Sequence, residues 1–361
     1  MHFNIGYQNI SPDNATQTSI DKRGTASIVI YSLILTLILL LSCIGNASVI
    51  VAIFSIRKLR QDLSNTFLIN LSITDMANAI LVMLSSLIAV STDTLTVHTS
   101  WCKLQCGFNY CFIIVSMLTL AMISIDRYHA IKNALTFSEV ITKKRIYLMI
   151  GYAWFQGLVF AVVPITLDWV QYDYWEIVCA IDWFHDTHTL YYVLVAFILC
   201  FAIPGGVLIY CYTSIARTAK RLAANTVGLG TGESSADKSL ERTIKSLLIV
   251  VATFFFCMTP FCVTKLLKVV TNNPAFVPGH INTLSSLIQY FASATNPLIY
   301  GIFRRDFRKA FLYQIKKLFC SSVHVHPDDI LDTTTSQIIR KRTSTMLTPP
   351  EDNCYVIDCN N

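Results

Sequence analysis

The sequence predicts an all-α membrane protein: a seven-transmembrane helix bundle followed by a short amphipathic eighth helix. Three observations predict it. Of the 361 residues, 53% are hydrophobic and only 14% charged, and the mean hydropathy is +0.52, too apolar for a soluble domain of this size. The apolar residues gather in seven runs, each long enough to cross the ~30 Å of a bilayer's hydrocarbon. The net charge of +6 sits in short basic clusters beside those runs, as the positive-inside rule expects, and not on a face that would bind nucleic acid.

Residues 1–25 are polar and hold two acceptor sequons, Asn9-Ile10-Ser11 and Asn14-Ala15-Thr16, usable for glycosylation only on an extracellular or lumenal side. This stretch has no apolar core, so the first span is expected to serve as the targeting signal. Span one, about Ala26 to Phe54, contains Gly45-Asn46 and is followed by Arg57, Lys58 and Arg60. That places its C-terminal end in the cytoplasm and the N-terminus outside. The two ends of the bundle are called inner and outer on that expectation.

Span two, about Asn65 to Val90, carries Asp75 as its only acid. A carboxylate at membrane depth needs polar partners, a cation or a proton. Asn46, Ser116, Ser293 and Asn296 are available as partners, and a protonated acid bonded to neighbouring helices is the plainer alternative. Span three begins at Trp101-Cys102 and finishes in Asp126-Arg127-Tyr128. Adjacent acid and base can neutralise one another through a charge-assisted hydrogen bond, either as a latch or simply to anchor a helix end at the interface.

Span four, about Ile146 to Leu167, holds Trp154 and Pro164. The loop after it, to about His188, contains Asp168, Asp173, Glu176, Asp182 and Asp186 and no Lys or Arg. Span five, about Leu190 to Ile215, carries Pro204, Tyr210 and Tyr212, and the missing proline donor predicts a bulge or kink. Ala223 to Asp237 is Gly- and Ser-rich and is expected to be a flexible loop. Span six, about Ile244 to Val270, has Pro260 among aromatics, and span seven, about Ile281 to Ile302, ends in Asn296-Pro297-Leu298-Ile299-Tyr300.

After the 26–302 bundle, Phe303, Phe307 and Phe311 recur at i, i+4 and i+8 among cations, which predicts a basic amphipathic helix over 303–320 on the inner lipid surface. Cys320 is placed for palmitoylation. Residues 321–361 are polar and expected to be disordered. Within them Lys341-Arg342-Thr343-Ser344-Thr345 suits a basophilic kinase, and phosphates on Thr343, Ser344 and Thr345 would draw an arrestin-like or other cationic partner. Of twelve cysteines, Cys43, Cys106, Cys111, Cys200, Cys211, Cys257 and Cys262 lie in apolar spans, and no Cys-x-x-Cys metal pattern occurs.

Gly45-Asn46, Leu71 with Asp75, Asp126-Arg127-Tyr128, Trp154, Pro204 with Tyr212, Cys257 with Pro260, and Asn296-Pro297-x-x-Tyr300 occur helix by helix in one order. In this the chain resembles the rhodopsin-like (class A) G-protein-coupled receptors, in their amine-like and opsin-like orphan branch, over about residues 26 to 320. The resemblance implies a multi-pass plasma-membrane receptor for an extracellular ligand, with an inside C-terminus, that activates a heterotrimeric G protein and is no enzyme. Asp126, Arg127, Tyr128, Tyr212 and Tyr300 would form the switch. Asn46, Asp75, Ser116, Ser293 and Asn296 would form a polar cluster able to hold sodium. Cys102 and Cys179, the two cysteines on the outer face, are expected to be bridged.

The departures narrow the ligand. Met258 stands where the family usually has tryptophan, and Glu241 is one residue from the place of the family's inner ionic lock. Asn109 stands where amine receptors carry the aspartate that pairs an ammonium, so simple monoamines are disfavoured. No Lys lies between Thr271 and Gly301, which argues against a retinal Schiff base, and no cofactor beyond sodium is expected. Gln105, Asn109, Tyr110, Phe261, Lys265, Ser286 and Tyr290 remain as a ligand pocket, or equally as inter-helix packing. The acidic outer loop would attract a cationic peptide, and Lys265 an anion or lipid carboxylate. A secondary transporter or proton channel using Asp75 is the alternative function, although no internal repeat supports it. An intramembrane hydrolase would need a metal-ligand or nucleophile pair that the spans lack.

Overall fold

The computed structural model describes residues 22–132, 141–182, 187–228, 235–271, 273 and 275–319, with backbone alone over 219–228, 235–247 and 318–319. Asn9, Asn14, Cys320, Thr343, Ser344 and Thr345 lie outside the described residues, as do the side chains around Glu241.

The bundle runs α1 Thr25–Ser55, α2 Asn65–Ser91, α3 Thr99–Lys132 and α4 Lys143–Thr166. A β-hairpin follows, β1 Val170–Asp173 paired antiparallel with β2 Val178–Ile181. Then α5 begins as Thr187–Phe197, passes through a π turn Ile198–Ala202 and continues as Ile203–Gly228. The chain goes on through α6 Ser235–Val270, α7 Gly279–Phe303 and α8 Arg305–Phe319.

α3 is the axis of the bundle, in contact with α2, α4, α5, α6 and the hairpin. Its residues from Ile114 to Ser124 are buried, so an apolar helix surrounded by others needs no polar face. α1 instead exposes Val29, Leu33, Leu37, Leu40 and Ile44 along its outer side. Six of the seven long helices are apolar enough to cross a membrane by composition; α7 is not among them. Asn282, Thr283, Ser285, Ser286, Gln289, Ser293, Thr295 and Asn296 lower its hydropathy, and all eight are buried against other helices.

The prolines show how irregular backbone is made tolerable at membrane depth. Pro297 has no N–H for the Ser293 carbonyl four residues earlier, and Asn46 Nδ2 donates to that carbonyl at 3.0 Å. Gly45 makes the approach feasible, since a Cβ there would lie 2.9 Å from the Pro297 ring. In α5 the π register carries Ile203 N–H to Ile198 O, which leaves the next carbonyl, Leu199, facing a proline without a donor. Gln156 Nε2 of α4 donates to Leu199 O at 3.2 Å.

Within the outer loop the hairpin pairs its own backbone groups. One expectation is corrected. The expected loop Ala223–Asp237 is largely helical: α5 continues to Gly228 and α6 already begins at Ser235. Ala223 and Ala224 are good helix formers, and a helix that has left the bundle needs no apolar period.

Candidate functional site: an inner latch, a buried polar cluster and a closed outer mouth

At the inner end Asp126 is 1% exposed, and Arg127 Nε lies 3.1 Å from its Oδ2. Adjacent helix residues do not face each other, so the pair closes only because the long guanidinium folds back. Arg127 Nη2 also reaches to 4.0 Å from Asp62 Oδ2, in the turn before α2. Tyr212 and Tyr300 are buried beside this pair: the Tyr212 hydroxyl faces Ser124 and Arg127, and Tyr300 packs on Phe307 of α8 with ring centroids 5.7 Å apart. Arg304, between α7 and α8, is pushed down to about 10, first by burial and then by the charge of Arg127. Tyr128 does not join them. Its hydroxyl accepts from Lys132 Nζ at 2.7 Å and its ring lies 6.0 Å from Tyr210.

Midway along the bundle, Asp75 accepts from Asn296 Nδ2 at 2.8 Å, with Ser293 and Ser116 as further polar neighbours. A cavity of about 20 Å³ opens on Asp75, Asn78, Ser116, Ser293 and Asn296, with Phe254 and Met258 of α6 as its apolar wall. That is room for one water-sized species. Asn46 does not line it, being committed to Ser42 O and Ser293 O at 2.9 and 3.0 Å. Asn78, whose Nδ2 donates to Ser293 Oγ at 3.4 Å, was absent from the expected set. Its i+3 spacing from Asp75 was the available signal. Asn70 was also missed: it donates to Thr119 at 2.8 Å and accepts from Trp154 Nε1 at 2.9 Å, joining α2, α3 and α4.

At the outer end the Cys102–Cys179 disulfide ties β2 to α3. The seven expected pocket residues have different occupations. Gln105 Oε1 accepts from Cys179 N at 3.3 Å, while its Nε2 reaches Val82 O and Ser86 Oγ at 3.4 Å. Tyr290 shares a 3.0 Å bond with Ser86, and Ser286 donates to Asn282 O of its own helix. Tyr110 is half-buried beside the Ile181 backbone, and Asn109, 2% exposed, leaves its Oδ1 without a partner. Phe261 lies with its ring centroid 5.6 Å from Lys265 Nζ. Gln105 and Tyr290 thus serve packing between elements, and Ser286 bonds within its own helix.

The acids of the loop are matched from within. Lys265 Nζ is 2.7 Å from Glu176 Oε2, and Lys268 Nζ is 3.0 Å from Glu176 Oε1 and 3.5 Å from Asp173. Asp168 pairs with Lys103 at 2.9 Å. Burial raises the Asp173 pKa, but Lys265, Lys268 and hydrogen bonds outweigh it and hold the carboxyl below its ordinary value. The hairpin tip is pinned on its other side by Arg23, which pairs with Asp93 at 3.5 Å, stacks 3.8 Å from the Tyr174 ring and donates to Tyr174 O. Trp175 lies against Gly279 and His280 of α7, and Thr283 donates to its carbonyl at 2.5 Å. The expected attraction of a cationic peptide to free loop acids is therefore corrected: two of those acids are spent on lysines of α6 and a third on Lys103.

Comparison with known proteins agrees with this geometry. The fold is similar to that of squid rhodopsin, with a TM-score of 0.73 and 21% identity, covering 91% of this chain and 94% of that one. In sequence the chain is 26% identical to octopamine receptor beta-2R of Drosophila melanogaster, over 81% of this chain and 62% of that receptor. It is 26% identical to 5-hydroxytryptamine receptor 4 of Homo sapiens, covering 83% and 82%, and 27% identical to the D(1C) dopamine receptor of Xenopus laevis, covering 81% and 69%. The family described as 7 transmembrane receptor (rhodopsin family) matches residues 45–300, from the Gly45-Asn46 contact with α7 to Tyr300 at the inner latch. With the bundle, the Asp126–Arg127 pair and the Asp75 cluster in those bounds, the chain belongs to the seven-transmembrane receptors of the rhodopsin family.

Proposed function

We propose that this receptor converts an event at its outer mouth into activation of a heterotrimeric G protein at its inner face, with the N-terminus extracellular and the C-terminus cytoplasmic. The observation that carries this is Arg127, held by Asp126 and reaching toward Asp62 at the inner end, beside Tyr212 and Tyr300. Movement of the proline-interrupted helices α5 and α6 away from α3 would free the guanidinium for a partner, and whatever favours the opened state shifts the population toward it. Family membership makes the transporter alternative unnecessary. Arg127→Ala is expected to cut second-messenger output at least about tenfold, roughly the effect of a charge-assisted bond to the partner, with surface expression retained. Normal signalling by that variant would reject the switch.

The relatives are named for octopamine, 5-hydroxytryptamine and dopamine, but Asn109 offers this chain's pocket a dipole in place of a carboxylate. A small monoamine is therefore not its agonist. A monoamine panel at micromolar concentration tests this, and a saturable, Asn109-dependent response would overturn it. A sodium ion fits the central cavity, where Asp75, Ser116, Ser293 and Asn296 would hold it and its charge would balance Asp75. In the same reading the sequons at Asn9 and Asn14 carry glycans, Cys320 a palmitoyl chain, and Thr343, Ser344 and Thr345 the kinase and arrestin-like contacts.

A further inference from the structure

The outer mouth holds an arrangement that the switch does not need. Lys265 and Lys268 sit on one face of α6, three residues apart, and each is 6% exposed. Two ammonium groups this deeply buried need anionic partners. The chief one is Glu176, 1% exposed, which gives one carboxylate oxygen to each lysine at 2.7 and 3.0 Å. A planar group with two oxygens, bridged by two ammonium groups, is what a bound carboxylate looks like.

Glu176 reaches this position from the tip of a hairpin and not from a helix. The next residue, Ile177, has φ 52°, a left-handed conformation that a β-branched side chain rarely adopts. The bent tip places the Glu176 carboxylate between the two lysines. Cys106 of α3 is close enough to Lys265 to feel its charge, and one turn further in Asn109 keeps a buried, unpartnered Oδ1.

We propose that Lys265 and Lys268 form a carboxylate-binding subsite which the receptor's own Glu176 fills, and that the extracellular ligand carries a carboxylate that takes its place. The ligand half rests on the receptor reading above; the subsite does not. It accounts for the mouth being closed by the hairpin and for two deeply buried cations beneath its tip.

The test is chemical rescue of the purified full-length receptor, read as thermal unfolding, which requires no G protein. Glu176→Ala leaves both lysines facing a vacated site and is expected to lower the melting temperature by about 10 °C. Sodium propionate at about 100 mM is expected to restore half or more of that loss by binding the folded state, and sodium chloride at equal ionic strength to restore none. The Glu176→Ala, Lys265→Met, Lys268→Met triple variant is expected not to respond. Where Glu176→Ala fails to reach the cell surface, propionate in the growth medium is expected to raise its surface amount, and that of the triple variant not at all. Absence of rescue, rescue matched by chloride, or rescue of the triple variant would each overturn the proposal. Failure here leaves the Arg127 switch standing, and loss of the switch leaves the melting shifts intact.

Discussion

At the outer end, lysines from α3 and α6 match acids of the outer loop over distances of 2.7 to 3.5 Å, and Glu176, at the hairpin tip, is buried between two of them. At the inner end one arginine is shared between the carboxylate next to it in sequence, at 3.1 Å, and a 41% exposed aspartate at 4.0 Å. The two ends carry charge for different purposes. A buried pair is costly to break because each partner leaves the other uncompensated, which suits a mouth that should stay shut. At the inner end the guanidinium itself is partly exposed and has a second, solvated carboxylate in reach, so it has an alternative partner, and moving parts are drawn from the low-stability end of a fold.

The comparison can be broken most sharply at the disulfide. Cys102→Ser is expected to destabilise the receptor by about 2–5 kcal/mol, because it frees a loop closed across 77 residues. A melting temperature within a degree of the unaltered receptor would show that the closed mouth contributes little. Gly279→Ala comes next. The new Cβ would collide with the Trp175 indole, so the ring or α7 must shift, at an expected cost of about 1–3 kcal/mol. Unchanged thermal stability and tryptophan emission would disprove the close approach.

A smaller effect is expected from pH. Because the Asp173 pKa is lowered in the folded state from 3.8, its contribution is present above the unfolded value and lost as pH falls through the folded one. Asp173→Asn is therefore expected to cost a constant amount of stability above about pH 5 and progressively less below it. A difference that grew on acidification would reverse the sign and the assignment. The smallest stability effect is expected at the inner end, where Asp62→Asn should change unfolding by no more than about 0.5 kcal/mol. The same variant is expected to raise basal second-messenger output, since Arg127 loses its second anchor. A large loss of stability with unchanged signalling would make Asp62 part of the scaffold instead.

Much of the site was legible because it lies within single helices. Asp126 and Arg127 are adjacent, and Asp75 stands out as the only acid in its span. What sequence reading missed lies across helices: Gln156 answering the carbonyl that Pro204 strands, Asn46 answering the one that Pro297 strands, and Asn70 joining α2, α3 and α4. Tyr128 was grouped with the switch because it is contiguous with it, but a helix turns about 100° per residue, and that turn carries its ring toward Lys132 and Tyr210.

By itself the sequence determined that the chain crosses a membrane repeatedly, where most crossings begin and end, that Asp126 and Arg127 stand as an adjacent acid–base pair at a helix end, and that Cys102 and Cys179 face one compartment. Those properties follow from hydrocarbon thickness, from the cost of charge in lipid and from neighbours along one helix, all of which are local. The tertiary structure alone decided that Glu176 is spent on Lys265 and Lys268, that Arg23 pins the hairpin through Asp93 and Tyr174, and that α7 hides its polar row inside the bundle. Glu176 and Lys268 are 92 residues apart. No periodicity in either segment encodes their pairing, which exists only because the disulfide and the packing of α6 and α7 bring the hairpin tip over the mouth.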